Sequence, residues 1–127
     1  MVAYVIGITI IVFSSTCTHL NTVFWLKLIS DNPWSIKSLD PWMDLEDEYR
    51  LAGFRKVTDL KYVNPKLKVT LAIGGWNEGS TKYSEMARDA TKRKSFVESV
   101  ITFLKQHNFD GLDLDWEYPG KLFLKCG

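Results

Sequence analysis

The chain has 127 residues, 46% of them hydrophobic and 24% charged, which fits one ordinary globular domain and excludes a disordered or collagen-like chain. Its formal net charge is +1, with basic residues scattered along the chain. That removes the electrostatic case for nucleic acid or an anionic membrane surface as a partner.

The first segment, Val2 to Phe13, is an almost unbroken apolar run. At about a dozen residues it falls short of the roughly 20 that a membrane-spanning helix needs, so no stable membrane insertion is expected. It fits a secretory h-region, with Ser14, Ser15 and Thr16 as a cleavage zone, and implies an extracellular product. The alternative is a buried N-terminal strand, because Ile and Val dominate the run.

Cys17 and Cys126 are the two cysteines, and their spacing defines no disulfide framework. His19 and His107 lack paired ligand spacing and are read as structural or solvent-facing, so no metal or organic cofactor is implied. No Asn-x-Ser/Thr acceptor occurs.

His19 to Leu28 is rich in Thr, Val, Phe, Trp and Leu and is expected to be a strand, closed by the turn set Ser30-Asp31-Asn32-Pro33. A polar stretch with Trp34 and Trp42 follows, Trp34 being expected in the core or on an ordinary surface. Leu51, Phe54, Val57 and Leu60 recur at helical steps, which predicts one amphipathic helix from about Leu45 to Tyr62 before the stop Asn64-Pro65.

Lys68 to Ile73, ended by Gly74-Gly75, has the profile of a strand buried on both faces. Thr91 is expected to cap a helix whose apolar stripe is Phe96, Val97, Val100, Ile101, Phe103 and Leu104. Phe109 to Trp116 is the third strand. Strands alternating with helices through short links predict an α/β fold with a parallel sheet.

Within Asp110-Gly111-Leu112-Asp113-Leu114-Asp115-Trp116-Glu117, strand alternation puts Asp113, Asp115 and Glu117 on one face and the leucines with Trp116 on the other. Successive carboxylates are roughly 6 to 7 Å apart by rise alone, close enough to resist ionising together in a water-poor site. One acid that keeps a proton beside one that stays charged is the pairing glycoside hydrolysis requires. The competing possibility is a row of solvated acids on a wet strand face.

The run Asp110 to Pro119 resembles the D-G-x-D-x-D-W-E-Y-P signature of family-18 glycoside hydrolases, the chitinases and their lectin-like relatives. Val69 to Asn77 is similar to that family's strand-three segment, and Cys17 to Leu20 resembles its strand-two entry. From about Ser38 to Gly120 the chain resembles an insect-type chitinase.

The resemblance implies a (β/α)₈ barrel with Glu117 as proton donor at the end of strand four. It implies that Asp115 holds the substrate N-acetyl group while its carbonyl oxygen attacks the anomeric carbon, and that Asp113 shares charge or a proton with Asp115. Tyr118 would support the sugar. Gly74, Gly75, Trp76 and Asn77 look like sugar-binding surface, with Trp42 a further candidate; for Trp76 an ordinary core position is the alternative. The implied ligand is chitin or its N-acetylglucosamine oligomers.

A full barrel takes roughly 250 residues, so this chain is expected to hold about its first half, with strands two to four. Residues 1–16 would be a signal peptide or a replaced N-terminus, and 17–127 a truncated catalytic domain, inactive alone. Its unpaired edges would favour self-association. The alternative function is a non-catalytic chitin-binding, lectin-like or growth-factor-like protein, against which the retained Glu117 argues.

Overall fold

The computed structural model describes residues 2–6, 9–13, 19–30, 34–46, 50–117 and 119, with side chains from Leu26 onward. Strands β1 (Val2–Ile6) and β2 (Thr9–Phe13) pair antiparallel as a separate two-stranded sheet, so the described residues of the leading apolar run are strands. Cys17 and Cys126 lie outside the described residues, as do Asp31, Asn32 and Pro33.

The second sheet carries the fold. Its strands are β3 (His19–Ile29), β4 (Ser35–Ser38), β5 (Lys68–Gly74) and β6 (Gly111–Asp115), in the order β4-β3-β5-β6. β3, β5 and β6 run parallel, joined through intervening helices as parallel strands must be. Among the described residues the sheet is open, with β4 and β6 as its outer strands. This is the partial α/β architecture expected from the sequence.

Leu26, Leu28, Val69, Leu71 and Ile73 of the sheet are buried with Phe54, Val57, Tyr83, Phe96 and Phe109 in one core. Burying each such aliphatic side chain contributes about 1.5–3 kcal/mol. Phe54 is a hub, meeting Phe103, His107 and Phe109 edge to face at 5.9, 5.2 and 5.3 Å.

Several boundaries differ from expectation. Among the described residues, the single helix over Leu45 to Tyr62 is instead α2 (Gly53–Thr58) and α3 (Leu60–Val63), with α1 (Pro41–Asp44) lying ahead of that span. Ala52 at φ 52° sits in a left-handed conformation just before α2, which no continuous helix can pass through. β4 was not expected at all. It pairs antiparallel with β3, and Ser99 Oγ accepts from its Ile36 amide at 3.0 Å while Ser95 Oγ donates to the Trp34 carbonyl at 3.0 Å.

After α4 (Thr81–Arg88), helix α5 (Ala90–Gln106) is capped by Asp89, not Thr91. The Asp89 carboxylate accepts from the Thr91 and Lys92 amides at 2.7 and 3.0 Å, and a carboxylate at a helix start also meets the favourable end of its dipole. On α5, Phe96 and Val100 are buried, whereas Val97 and Ile101 are exposed, so the apolar stripe is narrower than the sequence suggests. Lys92 covers Trp34, which is 6% exposed and belongs to the core, as expected.

The far end of α5 is a Schellman turn. Asn108 takes φ 60°, the Phe109 amide donates to the Leu104 carbonyl at 2.9 Å, and the Asn108 amide donates to Lys105 at 3.4 Å. Phe109 and Leu104 pack into the same core, and β6 begins two residues later.

Candidate active site

Register decides what flanks each acid. Asp113 pairs with Ala72 and Asp115 with Gly74, while Leu112 and Leu114 on the opposite face pair with Leu71 and Ile73. The acids therefore have small neighbours on their own face, and the leucines lie on the core side. Leu112 packs against the core, but Leu114 is 43% exposed because β6 is an outer strand.

Gly74 and Gly75 end β5 for a steric reason. Gly74 has φ +109°, and a Cβ there would stand 2.2 Å from the Asp115 carbonyl oxygen. The Gly75 amide donates to that oxygen at 2.8 Å. Only glycine allows the loop after β5 to pass so close to the end of β6.

This approach brings Gly74, Gly75, Trp76, Asn77, Asp115 and Glu117 around one cleft of about 640 Å³. Trp76 is 76% exposed, which places its ring at the surface and not in the core. Asp115 and Glu117 are half-buried, and both carboxyl-bearing residues line the cleft.

Two expected site residues are not gathered there. Asp113 is exposed on β6 and Trp42 is 55% exposed on α1, and neither lines the cleft. Asp113 sits on the outermost strand, so the described residues alone do not supply the water-poor wall expected around the acid row. Tyr118 lies outside the described residues.

The sequence reading missed Lys27, Leu39, Glu78 and Lys82, which also line the cleft, and Tyr83 beneath it. Tyr83 is fully buried, with its ring centroid 6.0 Å from that of Trp116. Burial pushes its phenol far above the ordinary range, reinforced by the Glu78 hydrogen bond and charge and by the charge of Asp115, so the hydroxyl stays a donor. The Trp116 indole N–H donates to Ser80 Oγ at 2.7 Å, tying the residue between Asp115 and Glu117 to the loop before α4.

Asp110, first of the acidic run, is structural. It accepts from the Val69 amide at 3.0 Å and pairs with Lys61 and Lys68 at 3.1 and 3.2 Å. Partial burial raises its carboxyl, but those bonds and the lysine charges outweigh it and hold it below its ordinary value. His107 closes α5 between Phe54 and Phe103, and burial holds its imidazole below the ordinary value. The His19 side chain lies outside the described ones. Among the described residues no group of His, Cys, Asp and Glu is arranged to hold a metal ion.

Comparison with known proteins agrees with this geometry. The Glycosyl hydrolases family 18 matches residues 2–123. "Probable chitinase 2" of Drosophila melanogaster is 52% identical over 103 residues, which is 81% of this chain and 21% of that protein. The "Endochitinase" of Manduca sexta is 42% identical over 104 residues, 82% of this chain and 18% of that protein.

Among solved structures, the Ostrinia furnacalis Group IV chitinase in complex with allosamidin superposes with a TM-score of 0.73 at 39% identity, covering 87% of this chain and 28% of that one. The chain thus spans about a fifth of the length of the curated relatives it matches. With the family matching nearly the whole chain and a relative 52% identical over 81% of it, the chain belongs to family 18 of the glycosyl hydrolases.

Proposed function

We propose that the chain carries the acid row of a chitinase-type hydrolase acting on β-1,4-linked N-acetylglucosamine polymers. The observation that carries this reading is the meeting of Asp115, Glu117, Trp76 and Asn77 around one cleft. Glu117 gives its proton to the leaving oxygen. Asp115 orients the substrate N-acetyl group, whose carbonyl oxygen attacks the anomeric carbon, so no protein nucleophile is needed and configuration is retained. Asp113 shares charge with Asp115, and Tyr118 supports the sugar.

The exposed Trp76 ring suits the apolar face of a pyranose, whose hydroxyls then find polar partners such as Asn77. Taken alone, the chain is inactive on this reading, because among the described residues the acid row lies on an outer strand without the enclosing walls that make electrostatic catalysis effective. The same unpaired edge favours self-association. Residues 1–16 act as a secretory leader, checked by N-terminal sequencing: a secreted product beginning near Thr16 or Cys17 supports this, and an intact Met1 refutes it.

The test is a fluorogenic N-acetylglucosamine-oligomer assay on the purified chain beside a circular dichroism melt. No turnover from a cooperatively melting chain that still binds chitin beads is the expected result. Turnover that vanishes in Glu117→Gln would uphold the chemistry and overturn the inactivity. A folded chain that neither binds nor cleaves would overturn the whole reading.

A further inference from the structure

Glu78 stands in the cleft, yet both its carboxylate oxygens are engaged. Oε1 accepts from the Leu28 amide at 2.6 Å and Oε2 accepts from the Tyr83 hydroxyl at 2.6 Å. Lys82 Nζ donates to the Leu28 carbonyl at 3.2 Å. The backbone polar groups of one residue on β3 are thus met by two side chains from the segment after β5.

The place where this happens is informative. The last parallel pair between β3 and β5 is Leu26 with Ile73, and β5 ends one residue later. Two residues beyond Leu26, β3 has no further β5 residue paired with it, and Leu28 is fully buried. A buried backbone amide and carbonyl left without partners would be costly. Glu78 supplies the acceptor and Lys82 the donor that a longer β5 would have provided.

We propose that Glu78 and Lys82 form a clip that continues the β3 ladder past the end of β5 and fixes the loop of residues 75–80 in place. That loop presents Trp76 and Asn77 to the cleft, and its Ser80 receives the Trp116 indole. Glu78 is a positioning residue, since its oxygens are committed to protein donors from β3 and α4. The role of the loop in sugar binding rests on the function proposed above, whereas the clip itself does not.

The experiment compares the full chain with Glu78→Ala, Glu78→Gln and Lys82→Met by amide hydrogen exchange and by binding of the N-acetylglucosamine tetramer. Glutamine can accept from the Leu28 amide and meet the Tyr83 oxygen with its NH₂, so it should rescue what alanine loses. In Glu78→Ala, exchange at Leu28 and residues 75–80 should rise about tenfold while Leu71 and Leu112 stay protected. Tetramer affinity should fall about tenfold in the alanine variant and stay within about twofold in the glutamine variant.

If Glu78→Ala does not fold, Lys82→Met must show the same selective opening at Leu28 and the loop. Unchanged exchange there, or equal behaviour of the alanine and glutamine variants, overturns the clip. A parent chain that binds no tetramer refutes the sugar-site reading, while the exchange data still decide the clip.

Discussion

Gly74→Ala tests the link between the glycine pair and the acid row. The new methyl would be 2.2 Å from the Asp115 carbonyl oxygen, against an optimum of about 3.5 Å for such contacts, so backbone must move. The φ of +109° adds strain of about 1–2 kcal/mol, and overpacking with loss of the Gly75–Asp115 bond adds about 1–3 kcal/mol. The total, about 2–5 kcal/mol, is a large part of the stability of a small domain. At about 4 °C per kcal/mol, the midpoint of thermal unfolding should drop by about 8–20 °C. Gly79→Ala is the control. Its φ is +68°, but nothing lies within 4 Å of its Cβ position, so only the strain of about 1 kcal/mol should appear. Paired calorimetric melts decide the matter: midpoints for the two variants within about 2 °C of each other would refute the close-approach argument.

Asp44 is buried against the Ser38 hydroxyl, and burial, less the Ser38 bond and with the charge of Asp40 added, pushes its carboxyl from 3.8 to about 6. Because the folded value lies above the unfolded one, its stabilisation is full below pH 3.8 and is lost as pH rises through about 6. Asp44→Asn should therefore gain about 2 kcal/mol relative to the parent between pH 4 and pH 7 in urea titrations, and equal pH profiles would contradict this. Asp110 behaves oppositely: its folded value is lowered, so its contribution is present above its unfolded value and is lost in acid. Asp110→Asn should cost about 1–2 kcal/mol at pH 7 by losing the Lys61 and Lys68 pairings, with the deficit shrinking as the parent carboxyl is protonated.

The parallel strands were legible because their signals are local. Val69, Leu71, Ala72 and Ile73 make a short, mostly apolar run, and the Leu-Asp alternation of β6 has the two-residue period of a strand. The acid row and Gly74 to Asn77 followed from motifs a few residues long. β4 was hidden because Ser35-Ile36-Lys37-Ser38 offers a single buried apolar side chain, and its edge is satisfied by serines 63 and 61 residues away. The helices before β5 are shorter than the spacing suggests because Leu51 keeps the helical step although it is exposed and outside α2. Asp89 displaced Thr91 as cap because its carboxylate reaches two amides. Glu78 was invisible because its partner Leu28 is 50 residues away and the need for it arises only where β5 stops.

The Schellman turn at Asn108 also acts as a length gauge. It stops α5 at a fixed point and hands the chain to β6 with no spare residue, so the span from His107 to Asp110 sets which side chains of the next strand face which way. Inserting or deleting one residue there would rotate Asp113, Asp115 and Glu117 onto the helix-covered side and turn Leu112 and Leu114 into the cleft, because side chains on a strand repeat every two residues. A two-residue change would restore the facing but shift every acid by two register positions, moving Asp115 away from Gly74. Loops elsewhere on the surface can vary in length at small cost, whereas any change in length of this four-residue segment alters the facing or the register of the acids.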